Sequence, residues 1–469
     1  MERWMGLLGM GAFLCIGFAL SNSRKDIHWK TIAWGLGLQW VFAAVVLKGA
    51  AISKALAFLP WPTLHVFHPG SPDQWHAQFG WVVLLLMFTP MLLRRFARYE
   101  NPALNWSIFG VIVVGMLRGN LIGHSFERMR VVVEHLMAFG AKGAAFVFGG
   151  LADPKGPALF VFAFVVLPTI IFVASLFAIL YYLGVMQWVV SASARAMGRF
   201  LKVSGAESVS VAASILMGQT EAPLTIRPFL ARMTRSELMV IMTAGMAHVS
   251  GSIMVAYVQV ANVDIVHLLT AVIMTAPGAV MMAKLLEPET EQPETSGAIH
   301  VDIPNHDANI LDAAARGAFE GGQLAFNVGV MLIAFIALVA LINGLLTGTL
   351  GHSLEQILGW IFKPFAFLMG VPWGESGQIG SLLGKRMVVN EFVAFLDLGA
   401  MKGLSDKAKL ISTFALCGFA NFSSIAIQVG GIGALVPERR GDLARLGLRA
   451  MLAGTIANFL SACIAGVMS

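Results

Sequence analysis

Charge is what this chain has least of. Only 12% of its 469 residues are Asp, Glu, Lys or Arg, against roughly 25% in an average soluble domain. Hydrophobic residues make up 57% and the mean hydropathy is +0.76. Water does not solvate a surface so poor in charge, so an ordinary soluble globular protein is excluded. Cysteine is scarce too, with 3 residues. Cys15, Cys417 and Cys463 all lie in apolar runs, where thiols serve as small buried hydrophobes rather than as a disulfide framework. The net charge of +6 sits mostly in short loops. That suits positive-inside topology better than nucleic-acid binding.

Long uncharged runs are abundant. Residues 4–23, 238–263, 410–437 and 450–469 contain no Asp, Glu, Lys or Arg, and each approaches or exceeds the roughly 20 residues that span a bilayer. The runs 156–194 and 321–354 are longer still. Spans are expected at about 4–20, 32–48, 78–94, 104–121, 157–183, 238–262, 264–284, 324–348, 409–434 and 447–467. All should be helices, since lipid admits only helices and closed barrels. The first segment lacks the basic start and small-residue cleavage site of a signal peptide, so it reads as a retained span.

The basic loop 24–30 sets the N-terminus outside and puts Arg94, Arg95, Arg98, Arg439, Arg440, Arg445 and Arg449 inside. The acidic loop 287–312 then falls inside, and Lys402, Lys407 and Lys409 fall outside, against the trend. Stretches at about 125–140 and 186–201 carry Arg among apolar residues and read as interfacial helices. The segment 287–312, with Pro288, Pro293 and Pro304, reads as a solvated loop between two halves.

Two segments, 204–230 and 373–396, are not clean spans. Each mixes apolar residues with Gly around a central acid, Glu221 in one and Glu391 in the other, 170 residues apart (391 − 221). The same offset sets Ile241 on Ile411, Thr243 on Thr413 and Gly251 on Asn421. Each acidic segment precedes a span interrupted by small polar residues, Ser250-Gly251-Ser252 in one copy and Asn421, Ser423 and Ser424 in the other. Paired, interrupted hydrophobic segments in corresponding halves mark the binding site of a secondary transporter. Carboxylates at membrane depth are costly and are functional by default.

At these residues the chain resembles the concentrative nucleoside transporter family. The resemblance is carried by Gly218-Gln219-Thr220-Glu221-Ala222-Pro223-Leu224, by Asn390-Glu391-Phe392-Val393-Ala394, and by the run from Asn421 to Gln428. Gly430-Gly431-Ile432-Gly433, Pro437-Glu438-Arg439-Arg440 and Trp34-Gly35-Leu36-Gly37-Leu38-Gln39 are also similar to the family. The match covers about 1–50 and 125–469. It implies an all-α polytopic membrane protein with about ten spans and two re-entrant helical hairpins in an inverted repeat. It also implies a homotrimer in the bacterial inner membrane, elevator-type movement, and import of nucleosides such as uridine by cation symport.

Under that resemblance the chain divides into a first pair of spans (1–50), an inserted segment with two extra spans (51–124), and an interfacial helix with a scaffold span (125–203). There follow the first repeat (204–286), a polar loop (287–312), a scaffold span with an amphipathic helix (313–372), and the second repeat (373–469). Gln219, Thr220 and Glu221 match positions that contact the nucleobase, with Ile253 beside the base. Glu391, Asn421 and Ser424 match those that hold the ribose hydroxyls, and Phe419 lines the same pocket. The chemistry agrees, because a carboxylate and an amide bind adjacent hydroxyls with charge-assisted pairs, and Gln both donates and accepts.

The cation positions depart from the family pattern. Sodium-coupled members offer side-chain oxygens from Asn and from Ser or Thr. Spacing from Glu221 and Gly251 gives Ser214 and His248 there, with Met217 and Val249 supplying backbone carbonyls. Imidazole removes an oxygen that a hard cation prefers, and histidine changes charge near neutral pH. The expected co-transported ion is therefore H+, with His248 or Glu221 as carrier; Na+ at the same four positions is the alternative, and no other cofactor is expected. Structural pairing of Glu221 or Glu391 with Arg227 or Lys385, and Ile253 as mere packing, are the competing roles. Trp360 and Trp373 read as interfacial anchors rather than base-stacking platforms. A free nucleobase or another small polar solute is the alternative cargo. An enzyme using the two carboxylates lacks any accompanying metal motif, nucleophile elbow or phosphate loop.

Overall fold

The computed structural model describes residues 2–56, 121–153, 161–295 and 307–469. Among them the regular structure is entirely helical. The chain forms two compact units, residues 41–129 and the remainder. Both expected extra spans, and Arg94, Arg95 and Arg98 with them, lie outside the described residues, apart from Leu121. The described parts of the smaller unit, 41–56 and 121–129, are helical.

In chain order the main helices are α1 (Glu2–Ala19), α2 (Trp29–Leu47), α3 (Leu121–Phe148), α4 (Leu167–Tyr182), α5 (Val185–Leu201), α6 (Gly205–Ser214), α7 (Arg235–Ala247), α8 (Gly251–Ala261), α9 (Ile265–Leu286), α10 (Ile310–Leu350), α11 (Leu354–Leu368), α12 (Ser376–Val388), α13 (Glu391–Ala400), α14 (Asp406–Leu416), α15 (Phe422–Leu435) and α16 (Arg440–Met468). Seven stretches among the described residues are long and apolar enough to cross a bilayer.

The second half of the chain repeats itself. Shifted by 170 residues, α6, α7, α8 and α9 overlap α12, α14, α15 and α16. The 3₁₀ segment Ala222–Arg232 overlaps α13 in the same way. In each copy a helical hairpin carries the acid near its turn, and a broken helix follows. Local chemistry fixes the boundaries. Ser204 with Glu207, and Thr234 with Glu237, form reciprocal capping boxes at the starts of α6 and α7. Asn390 and Asn421 accept backbone N–H bonds at the starts of α13 and α15. The first break lies at His248–Ser250, both extended, and α8 starts at Gly251. Only glycine fits there, since a Cβ would sit 2.6 Å from the Phe177 ring on α4.

Burial separates two roles. α7, α9 and α16 are buried along most of their length, whereas α10 keeps Leu311, Phe319, Ile333 and Leu345 largely exposed. α10 packs on α4 through Gly317 and Gly321, where a Cβ would come within 2.5 Å and 2.7 Å of the Ala178 and Ala174 methyls. Small residues four apart let membrane helices approach this closely.

Three expectations change. The helix expected at 125–140 runs through to Phe148, and 123–152 is long and apolar enough to span a bilayer. The glycines inside it do not end it; Gly140 lies against the Phe172 ring. The solvated loop beginning at 287 is partly buried at its start. Glu287 is 7% exposed and pairs with Arg235 at 2.8 Å and Arg449 at 3.5 Å, while Lys284 bridges Glu207 at 2.6 Å and Glu289 at 3.1 Å. Lys284 and Glu207 are both buried, so each needs the other's charge as a partner. Finally, α10 begins at Ile310, capped by Asn309, so the last three residues of the expected loop, 310–312, are helical. By contrast, the stretch at 186–201 matches α5, which buries Met186, Val190, Ala194, Met197 and Leu201 on one face.

Candidate functional site

The site grows from Glu391, the first residue of α13, which is 5% exposed. Tyr257 of α8 donates its hydroxyl to one carboxylate oxygen at 2.9 Å. The Asn421 amide donates to the other at 3.1 Å. Tyr257 is held by stacking on Phe395, with ring centroids 4.4 Å apart. A carboxylate offers about four lone-pair sites. Tyr257 and Asn421 each take one oxygen, which leaves the carboxylate with capacity to accept further donors.

Asn421 does two jobs. Its side-chain oxygen caps α15 by accepting from the Ser424 N–H at 2.9 Å, and also takes the Ser423 hydroxyl at 2.7 Å. That leaves its NH₂ aimed at Glu391. The network continues across the repeats: the Gln219 amide donates to the Ser424 hydroxyl at 3.2 Å. Gln428 donates to the Gln219 carbonyl oxygen at 3.3 Å and to the Met242 backbone at 3.1 Å. Gln219, Glu391, Asn421 and Ser424 are thus brought together from segments far apart in sequence. Gln219 is half-buried; the other three are buried.

The other expected residues surround this network. Thr220 packs on Gly431 of α15, where a Cβ would lie 2.5 Å from the Thr220 methyl. Ile253 is buried in the first turn of α8. Phe419 is half-buried, and its N–H donates to the His248 carbonyl at 3.2 Å, so the two helix breaks touch. Glu221 is exposed at its hairpin turn and accepts from the Gly218 N–H at 3.1 Å.

Ser214 and His248 are buried and 3.1 Å apart. His248 Nδ1 lies 2.7 Å from the Ala244 carbonyl. A carbonyl only accepts, so Nδ1 carries the proton. Ser214 donates to the Val211 carbonyl at 2.8 Å. Nε2 is buried with no hydrogen-bond partner among the described residues. Met217 is half-buried and Val249 is buried beside them.

Lys385 pairs with Asp397 at 2.5 Å and Glu355 at 3.2 Å rather than with Glu391. Arg227 is exposed. Trp360 stacks edge-on against His352, and Trp373 lies under Lys363 and beside Phe367, both largely exposed.

Sequence reasoning missed Tyr257, Arg386 and Asn458. Arg386 is fully buried and donates to the carbonyls of Ala415 at 2.7 Å and Gly418 at 3.2 Å, and to the Asn458 side-chain oxygen. Asn458 in turn donates to the carbonyls of Ala247 at 2.9 Å and Cys417 at 3.0 Å. These are the orphan carbonyls at the ends of α7 and α14, which a broken helix must satisfy. An arginine and an asparagine within apolar hairpin and span sequence are a readable warning of such a role.

A buried polar network between two hairpins and two broken helices, within membrane-length helices, has the arrangement that secondary transporters use. The family profile described as Na+ dependent nucleoside transporter C-terminus matches residues 267–466. The profile described as nucleoside recognition matches 163–263, and that of the Na+ dependent nucleoside transporter N-terminus matches 8–60. An uncharacterized transporter of Haemophilus influenzae is 48% identical, covering 98% of this chain and 96% of the relative. The nucleoside permease NupC of Helicobacter pylori is 42% identical over 71% of this chain and 83% of its own length. Sodium/nucleoside cotransporter 1 of Rattus norvegicus is 36% identical over all of this chain and 64% of its own. Among solved structures, CNTnw in an inward-facing substrate-bound state superposes with a TM-score of 0.80 at 37% identity, covering 100% of this chain and 99% of that one. The chain belongs to the concentrative nucleoside transporter family. It is a multi-pass membrane transporter and not an enzyme.

Proposed function

We propose that the protein imports nucleosides across the bacterial inner membrane by cation symport, as a homotrimer whose transport domains move in an elevator-type cycle. The observation that carries the cargo is the buried carboxylate of Glu391, which Tyr257 and Asn421 hold in place. A carboxylate so held suits the adjacent hydroxyls of a ribose, with Asn421 and Ser424 completing the grip. Gln219, Thr220 and Glu221 then face the base, with Ile253 and Phe419 as apolar walls. A free nucleobase, which lacks the ribose hydroxyls, would leave the Glu391 carboxylate without those donors, at the usual cost of a buried acceptor left unpaired.

For the coupling ion the proton is the first reading. His248 holds its Nδ1 proton on Ala244 and keeps a buried Nε2 without a partner, which is a site for one transferable proton. The Ser214 hydroxyl already donates to Val211, and its oxygen accepts from the His248 Nδ1–H at 3.1 Å. Sodium is the second reading, favoured by the names of the matching profiles and of the rat cotransporter. The same four residues, Ser214, Met217, His248 and Val249, would hold it, with one hydroxyl and backbone carbonyls as its oxygens. Radiolabelled uridine uptake into proteoliposomes separates them. We expect accumulation under an inward proton gradient without sodium, and loss of that accumulation in His248→Gln. Accumulation driven by sodium at constant pH, and by no pH gradient, overturns the proton reading. Uptake of uracil without uridine overturns the cargo.

A further inference from the structure

The two repeats treat their acids differently. At the common offset, Glu221 corresponds to Glu391, but Arg386 corresponds to Leu216 (386 − 216 = 170). The second repeat therefore carries a fixed positive charge where the first has an apolar side chain. Its placement is specific. Gly418, whose carbonyl receives Arg386 Nε, is the counterpart of His248 (418 − 248 = 170). Three oxygen acceptors surround the guanidinium, those of Ala415, Gly418 and Asn458. It sits at the C-terminal end of α14, where the helix dipole is negative. Unwound carbonyls at half-helix ends are where broken-helix transporters hold their cations. Outside the repeat, Arg316 of α10 is committed to Asp307 at 2.7 Å and Glu320 at 2.8 Å, and Glu221 is bonded to the Gly218 N–H.

We propose that Arg386 is a built-in cation: in the second repeat it fills the place that the transported cation takes in the first, so each nucleoside moves with one cation and not two. The proposal rests on the cation-symport reading above. It makes the second half-site permanently charged and the first chargeable only by an ion that arrives and leaves.

The test uses the full-length protein in proteoliposomes. The charge moved per uridine is read from the membrane potential that just halts net uptake at fixed gradients, with protons and sodium tried separately. One charge per uridine is expected. Two charges overturn the proposal while leaving symport intact, whereas uptake indifferent to potential and to both gradients overturns symport and the proposal with it. A second measurement uses R386A, which opens the carbonyls of Ala415 and Gly418. Uridine binding to this variant should acquire a second saturable dependence on sodium or potassium, about tenfold across the titration. R386K, which keeps the charge, should not acquire it. An R386A protein that responds to cations as the wild type does reduces Arg386 to packing. If R386A does not fold, a wild-type ratio of two charges per uridine, or an R386K protein that acquires the second cation dependence, still overturns the proposal.

Discussion

Replacing Glu391 with Gln changes one atom in kind and almost nothing in shape, so its effect isolates the carboxylate. Tyr257 and Asn421 donate to its two oxygens at 2.9 Å and 3.1 Å. An amide has one acceptor oxygen, so one donor must then face an NH₂. It also loses the charge that strengthens every bond made to it. Hydrogen bonds to charged groups contribute about 1.5–3 kcal/mol each, which predicts uridine binding weaker by roughly 10- to 150-fold. Weaker binding alone would not distinguish a ligand contact from a damaged scaffold. The assay is therefore a cycle in which uridine and its 2′- and 3′-deoxy analogues are titrated against wild type and Glu391→Gln. If the carboxylate holds the ribose, removing a hydroxyl should cost wild type about tenfold or more and the variant little, with a coupling of at least about 1 kcal/mol. Equal losses for all three ligands would refute the reasoning and leave Glu391 as a structural residue bonded to Tyr257 and Asn421.

Two further outcomes test the packing around this site. Gly431→Ala pushes a methyl into Thr220, at an approach of 2.5 Å, and should destabilise the protein by about 1–3 kcal/mol, the usual cost of overpacking, read as a lowered midpoint in thermal unfolding; Thr220→Ser in the same protein removes the clashing methyl and should restore most of it. Lys284→Met leaves Glu207 and Glu289 facing each other without their shared cation and should destabilise the protein by about 3–5 kcal/mol, read as a lowered midpoint in thermal unfolding in detergent, while Lys284→Met with Glu207→Gln should be milder.

The parts that were legible in the sequence share a physical origin. Apolar runs reveal membrane helices because lipid punishes charge, and the pair Glu221 and Glu391 reveals the repeat because an acid at membrane depth needs a reason. Gln219, Asn421 and Ser424 stood inside motifs, and the structure joins them. Tyr257 was invisible for a different reason. It is an ordinary aromatic in an apolar helix, and its partner lies 134 residues away. Arg386 and Asn458 bind backbone carbonyls. Every residue has a carbonyl, so nothing in the sequence says which ones a broken helix leaves bare. The extent of α3 was underestimated because its polar first turns drew attention away from the apolar continuation to Phe148.

Asn458 spans the two breaks with a single amide, donating to Ala247 in one repeat and Cys417 in the other. These carbonyls are exact counterparts at the repeat offset (417 − 247 = 170). A clasp of that kind means the halves of the pocket cannot part without stripping partners from buried oxygens. Under the elevator-type cycle proposed above, the two broken helices would then travel as one body, and a substitution at Asn458 would loosen both repeats together rather than one.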